Sequence, residues 1–113
     1  MDTRTKIITK QEAQALVSQG AVLVRGYFDP ITLWHAEKLA ELKNAGGPLI
    51  VAVSTPTDPI MPVRARMQMV AGFRAVDYVT EMTPGLGPAV NLEQDDRAEL
   101  DRLIALVSGR QQA

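Results

Sequence analysis

The sequence predicts one α/β domain in which a short parallel sheet, of about three strands, lies between two layers of helices. Two apolar runs, residues 21–24 and 49–53, are continuous rather than alternating, which is typical of parallel strands that helices cover on both faces. Between them lies an amphipathic stretch at 32–45, which Gly46 and Gly47 bring to an end. These observations predict a strand–helix–strand crossover at the centre of the fold.

The remaining elements follow from local signals along the chain. Thr9 and Glu12 have the spacing of a capping box and predict a short first helix, which ends near Gly20. Pro62 is placed to open a third helix, because proline is favoured in the first helical turn. Residues 77–82 are predicted as a third strand, and the loop that follows them is rich in glycine and proline.

A final helix is predicted at residues 92–107, with Asn91 as its cap. Acidic residues in its first turn, at 93, 95 and 96, complement the positive end of the helix dipole. Its apolar side chains recur at helical spacing, at Leu100, Leu103, Ile104 and Val107. We expect this stripe to cover one face of the sheet.

Composition excludes several kinds of function. A chain of 113 residues forms one small domain, so residues 1–113 are taken as a single unit. The net charge of −1 provides no field for nucleic acid or anionic lipid. Cysteine is absent and histidine occurs once, which excludes disulfides, thiolate chemistry and a multi-histidine zinc site. Without a long apolar run at the N-terminus, we expect a cytoplasmic protein with no membrane partner.

The segment after the first strand contains the candidate functional residues. Residues 25–35 read Arg-Gly-Tyr-Phe-Asp-Pro-Ile-Thr-Leu-Trp-His. A strand, a tight loop and a helix start in this order direct backbone N–H groups and the positive end of a helix dipole at one point. The sequence therefore predicts an anion site here, suited to phosphate.

This segment resembles the Gly-x-Phe-Asp-x-x-(His/Thr)-x-Gly-His motif of the cytidylyltransferase-like nucleotidyltransferases, and it is also similar to the form found in pantetheine-phosphate adenylyltransferases. Further segments, at 6–9, 49–54, 66–67 and 75–79, look like the nucleotidyltransferase domain of ADP-heptose synthases. The resemblance covers roughly residues 5–107 and implies a Rossmann-like fold. Family members normally add two more strands beside the first, so we expect that strand to be an exposed edge here.

The resemblance also implies roles for single residues. Family enzymes join a nucleoside triphosphate to a substrate phosphate by in-line attack, so catalysis consists of positioning and charge neutralisation. His35 matches a motif histidine that would bond a triphosphate oxygen, and Thr32 matches a threonine that replaces histidine in some members; these two are the candidate catalytic residues. The candidate nucleotide- and phosphate-binding residues are Arg25, Gly26, Tyr27, Phe28, Asp29 and Trp34.

Within that set, Gly26 would permit close approach of a ligand and Asp29 would brace the loop. Arg25 either faces the cleft or is an ordinary surface arginine. Tyr27 stands where the family usually has Ser, Thr or Cys, and Trp34 replaces a glycine on which the nucleotide lies. The indole would either fill the space of the ligand or stack on it.

Charge-stabilising groups expected from the resemblance are missing. The loop at 54–62 has no basic residue, and the later Lys-Gly-Gly-Asp segment of the family has no counterpart. Each lost donor costs on the order of 10²-fold to 10³-fold in rate. Arg66 matches a family arginine, for which we expect a structural ion pair rather than catalysis.

The sequence thus favours a degenerate nucleotidyltransferase-like domain without catalysis, serving in oligomerisation or in sensing phosphate or a nucleotide. The alternative is an active adenylyl- or cytidylyltransferase that joins an NTP to a sugar phosphate or similar substrate, with Mg²⁺ and ATP or CTP. No dedicated metal site and no nucleic-acid partner are expected. An open edge at the first strand predicts a homodimer, since unpaired strand edges invite pairing.

Overall fold

A computed structural model of the chain describes residues 3–44 and 46–112, with side chains described as far as residue 109. Its elements, in chain order, are a 3₁₀ helix Thr3–Lys6, α1 Lys10–Ser18, β1 Val22–Gly26, α2 Leu33–Asn44, β2 Leu49–Val53, α3 Val63–Ala71, β3 Tyr78–Glu81, β4 Val90–Asn91 and α4 Glu93–Gln112. The alternation of strands and helices gives the predicted α/β class. Residue 45, at the predicted end of the second helix, lies outside the described residues.

The strands form one parallel sheet in the order β3-β2-β1-β4. Val24 of β1 lies between Val51 of β2 and Val90 of β4. The sheet therefore has four strands rather than about three, and the predicted open edge at the first strand is wrong. After the loop that follows β3, the chain returns beside β1, and the Leu92 N–H donates to the Arg25 carbonyl at 2.8 Å.

Helices cover both faces of the sheet, which makes the predicted three layers. On one face, β1 and β2 pack against α2 and α3 through a buried cluster that includes Val24, Val51, Leu39 and Val70. On the other face, a second cluster joins the sheet to α1 and to the loop before β4. All five residues of β2 are buried, as its continuous apolar sequence predicts.

Local capping signals are confirmed at the first helix. The Glu12 N–H donates to the Thr9 hydroxyl at 3.2 Å, and the Thr9 N–H donates to the Glu12 carboxylate at 3.1 Å. The helix ends two residues before Gly20, whose φ of 100° lies in the region that glycine tolerates. At α3 the helix begins at Val63, with Pro62 as its cap residue.

Asp77, which lies just before β3, connects α2 to the start of β2. Its carboxylate accepts from Lys43 Nζ at 2.6 Å and from the Leu49 N–H at 2.8 Å. Partial burial acts to raise the pKa of the Asp77 carboxyl, but these hydrogen bonds and the nearby positive charges outweigh it and leave the pKa below its ordinary value. The group therefore helps to fix the start of β2.

The last helix departs most from expectation. It begins at Glu93, with Asn91 Oδ1 accepting from the Glu93 N–H at 2.9 Å, and it runs beyond the predicted end to Gln112. The predicted stripe does not cover the sheet, because Leu103, Ile104 and Val107 are 40%, 54% and 45% exposed. The contacts of α4 with the domain are concentrated in its first two turns, where Asp96 is buried and Leu100 is half-buried.

No helix in the described part of the chain meets the requirements for spanning a membrane. Among residues 3–44 and 46–112, none combines the length and the apolar character that crossing a bilayer requires.

Candidate functional site

The motif loop leaves the carboxyl end of β1 at Gly26 and enters α2 at Leu33. Phe28 is fully buried and has a φ of 51°, in the left-handed region that non-glycine residues seldom adopt. The N–H groups of Tyr27 and Phe28 both donate to one acceptor group. The loop thus forms the converging pair of backbone donors that the sequence predicts for an anion.

The acceptor is a carboxylate of the same chain. Asp96, in the first turn of α4, accepts from the Tyr27 N–H at 2.7 Å through Oδ2 and from the Phe28 N–H at 3.2 Å through Oδ1. Its Oδ1 also contacts Nε2 of His35. Asp96 is 6% exposed and His35 is 1% exposed, so the pair is enclosed and its hydrogen bonds are strong. We call the donors of Tyr27, Phe28 and His35 the anion cradle.

His35 is oriented by the start of its own helix. The Thr32 N–H donates to Nδ1 of His35 at 3.0 Å, and the Thr32 hydroxyl lies at 3.0 Å from the same nitrogen. A backbone N–H can only donate, so Nδ1 accepts and the ring proton resides on Nε2, facing Asp96. The arrangement resembles a capping box in which the histidine reaches back to the first residue of the turn.

Gly26 is required by the close approach of Asp96. A Cβ atom at this position would lie 2.7 Å from Asp96 Oδ2 and 2.9 Å from the Phe28 ring. The sequence predicted that Gly26 permits close approach of a ligand. In the structure, the group that approaches is Asp96.

Two buried side chains hold the loops around the cradle. Asp29 accepts from the Ile60 N–H at 2.6 Å and from the Met61 N–H at 2.9 Å, so it braces the loop that follows β2. Arg66, which is 0% exposed, donates to backbone carbonyls of both loops and to a hydroxyl. Its acceptors are Met61 O at 3.0 Å, Tyr27 O at 2.8 Å, Ser54 O at 2.7 Å and Thr55 Oγ1 at 3.2 Å.

The role of Arg66 is therefore structural, as expected, but the expected ion pair is replaced by bonds to carbonyls. An arginine can do this because its planar group presents five donors in fixed directions.

Arg25 is paired with α4. Its Nε lies 2.7 Å from Oε1 of Glu93, and both side chains are partly buried. Arg25 also lines a cleft of about 470 Å³ at the carboxyl ends of the strands. In that cleft the buried hydroxyls of Ser54 and Thr83 have no hydrogen-bond partner among the residues the structure describes. Arg25 thus faces a cleft, with its charge neutralised by Glu93.

Among the described residues, Trp34 lines neither the cleft at Arg25 nor the one beside the cradle. A cleft of about 290 Å³ lies beside the cradle and is lined by Tyr27, Asp29, Asp96 and neighbouring residues of α4. Within the described part of the chain, Trp34 is not among its lining residues. The indole packs against the core and meets the His35 ring edge-on, with 5.2 Å between ring centroids. Asp96, rather than Trp34, occupies the anion cradle.

The structure brings together most of the predicted site residues. Gly26, Tyr27, Phe28 and His35 lie against Asp96, and Thr32 bonds to the other nitrogen of the His35 ring. Asp29 bonds to the loop after β2, Arg25 pairs with Glu93, and Trp34 packs against the His35 ring. Sequence reasoning missed the role of Asp96, which it treated only as an acidic residue of the first helical turn. No local signal could have identified that role, because Asp96 is 61 residues from His35 along the chain.

The two carboxylates nearest the cradle are oriented by hydrogen bonds. Both oxygens of Asp29 accept from backbone N–H groups, and both oxygens of Asp96 accept from the cradle. In residues 3–44 and 46–112, no group of three or more His, Cys, Asp or Glu is arranged to hold a metal.

Comparison with known proteins identifies the family of this chain. Residues 23–111 match the family described as "Cytidylyltransferase-like". The chain is similar to "Bifunctional protein HldE" of Edwardsiella ictaluri, with 31% identity in an alignment of length 93 that covers 69% of this chain and 20% of that protein. It is similar to the protein of the same name in Photobacterium profundum, with 34% identity in an alignment of length 101 that covers 74% of this chain and 21% of that protein.

The chain thus spans about a fifth of the length of the curated relatives that it matches. The family match extends from β1 to α4 and includes the whole motif loop with its cradle. On this match and on the parallel α/β sheet that carries the loop, the chain belongs to the cytidylyltransferase-like family.

Proposed function

We propose that this domain is a non-catalytic member of its family that serves in phosphate or nucleotide sensing and in self-association. The observation that carries the proposal is the position of Asp96. The two loop N–H groups and the ring N–H of His35 are the donors that a phosphate oxygen would need, and a carboxylate of α4 accepts from all of them. A triphosphate cannot be positioned for in-line attack while this carboxylate is in place.

The charges around the cradle support the same proposal. Transfer of a nucleotidyl group needs preorganised positive charge where negative charge develops. Arg25 is neutralised by Glu93, and Arg66 is buried against backbone carbonyls. The carboxylates of Asp29 and Asp96 add negative charge beside the cleft. Each of these features leaves the negative charge that develops in nucleotidyl transfer without a positive group to stabilise it.

We expect no nucleotidyl transfer by the wild-type protein. Incubation with ATP or CTP, Mg²⁺ and a sugar 1-phosphate or phosphopantetheine should release pyrophosphate no faster than a sample without protein, because the cradle is occupied and the loop at 54–62 has no basic residue. Coupled detection of pyrophosphate measures the rate. The matched control is His35→Ala. Turnover by the wild type that His35→Ala abolishes would contradict the proposal and support an active transferase.

Self-association is proposed through α4, with a second copy of the chain as the partner. The support is the exposed apolar set on this helix, which consists of Leu103, Ile104, Leu106 and Val107. A two-fold axis would place this set against its equivalent in the other copy and cover both. A net charge of −1 gives little repulsion between copies.

We therefore expect light scattering at micromolar concentration to give a mass near twice 12.3 kDa. Ile104→Lys should lower the measured mass, because burying a lysine between the helices is costly. Gln94→Lys, at an exposed polar position of the same helix, is the control and should leave the mass unchanged. A monomeric mass at all concentrations would show that α4 does not pair.

A further inference from the structure

We infer that Asp96 acts as an intramolecular substitute for phosphate, and that α4 is a latch which a phosphate group releases by taking the place of the Asp96 carboxylate. The inference rests on the proposed function, because it uses the same cradle. It adds a regulatory contact to that function and states which part of the domain responds to the ligand.

The donors of the cradle match the acceptors of its occupant, Asp96. Backbone N–H groups only donate, so those of Tyr27 and Phe28 require an acceptor once they are buried. The carboxylate of Asp96 meets this need with both of its oxygens. A phosphate group presents oxygens of the same charge sign to the same donors. Exchange of one for the other therefore leaves no buried donor without a partner.

The cradle holds the base of α4, which is the end of the helix that begins at Glu93. Three contacts attach this end of the helix to the domain: the Asp96 carboxylate in the cradle, the Glu93–Arg25 ion pair, and the Leu92 N–H on the Arg25 carbonyl. Farther along, residues 101–109 are all exposed. The helix thus depends on its first turns for its position, and Asp96 is its most buried polar contact.

Displacement of the Asp96 carboxylate by phosphate would move the first turn of α4. A phosphate that accepts from Tyr27, Phe28 and His35 would occupy the position of the Asp96 carboxylate, and the two negative groups would repel each other at contact distance. Asp96 would therefore leave the cradle, and the first turn of α4 would move with it. The cleft of about 290 Å³ between the motif loop and α4 is the adjoining space into which the rest of the ligand would extend.

The expected affinity for phosphate depends on competition by the Asp96 carboxylate, which is tethered to the same chain. A carboxylate attached to the same chain competes at an effective concentration of mM or more, so wild-type binding of phosphate should be weak. Removing the competitor should strengthen binding on the order of 10-fold or more. Asp96→Asn removes the charge and keeps the shape. Asp95→Asn makes the same charge change at the exposed neighbouring residue and is the matched control.

The test is calorimetric titration of wild type, Asp96→Asn and Asp95→Asn with inorganic phosphate, together with hydrogen exchange of the α4 amides. We expect Asp96→Asn to bind phosphate at least about tenfold more tightly than wild type, and Asp95→Asn to bind like wild type. Adding His35→Ala to Asp96→Asn should remove the gain. The same titrations with ATP distinguish a site for free phosphate from one that needs the nucleotide.

The wild-type protein tests the latch even if the Asp96 variant does not fold. Saturating phosphate should accelerate exchange of the α4 amides while those of β2 stay protected. Tighter binding by Asp96→Asn with unchanged α4 exchange in phosphate would overturn the latch and leave phosphate sensing intact. Equal affinity of Asp96→Asn and wild type would overturn the substitution itself. Both of these outcomes are independent of pyrophosphate release, and measuring that release tests the proposed function separately.

Discussion

Replacing Arg66 with methionine should lower the free energy of unfolding by about 3 kcal/mol or more, because charged hydrogen bonds contribute about 1.5–3 kcal/mol each and their loss leaves buried acceptors unsatisfied. Arg66 is 0% exposed and donates to carbonyls of the loops after β1 and after β2. Methionine fills a similar volume without a donor. Urea denaturation, with the same slope assumed for both proteins, measures the difference.

The control for Arg66 lies two residues away on the same helix. Arg64 is exposed, so Arg64→Met removes the same charge without burying an unsatisfied carbonyl and should change stability by about 0.5 kcal/mol or less. Arg66→Lys keeps a charge but replaces a five-donor fork by a single ammonium group, and it should lie between wild type and Arg66→Met. Equal effects of the substitutions at 64 and 66 would show that the bonds of Arg66 to the loops contribute little.

Gly26→Ala should destabilise the protein by about 1–3 kcal/mol, the usual cost of inserting a methyl group into a packed site. The new Cβ would lie 2.7 Å from Asp96 Oδ2 and 2.9 Å from the Phe28 ring. Relief requires Asp96 to move away from the Tyr27 N–H, so we also expect faster hydrogen exchange in the first turns of α4. Denaturation and exchange measured on the same variant report the two effects.

Gly109 provides the control for this substitution. It lies within α4 and is exposed, and apart from its chain neighbours and the helix backbone, a Cβ there would have no heavy atom of a described residue within 4 Å. Gly109→Ala should therefore stabilise the helix by about 0.5–1 kcal/mol through propensity alone. If Gly26→Ala also stabilises the protein, Asp96 is not held against the loop as the structure describes.

The strand that carries the motif was predictable in part. The apolar run at 21–24 indicated a strand, but the strand continues to Gly26, because Arg25 and Gly26 pair with Ala52 and Val53 of β2. The fourth strand, Val90–Asn91, was not predictable, since two residues carry no periodic signal. Pairing with β1 creates it, and that pairing overturned the argument for an open edge.

The motif loop was also predictable only in part. The convergence of the loop N–H groups could be predicted, because a strand followed by a tight loop and a helix brings its own N–H groups together. What the cradle contains could not be predicted. Trp34 was predicted either to fill the space of the ligand or to stack on it, and in the structure it packs against the core. The occupant, Asp96, comes from the last helix.

The α/β class, the order of the main elements and the position of the motif loop follow from the sequence, because they depend on apolar runs, helix caps and turns within a few residues of one another. Packing over long distances in the chain is what bonds Arg66 to carbonyls, makes β1 an interior strand and puts Asp96 in the cradle. These contacts join residues far apart in the chain, so their partners depend on how the layers pack. No spacing in the sequence encodes which acidic side chain of the last helix meets the buried donors of the first loop.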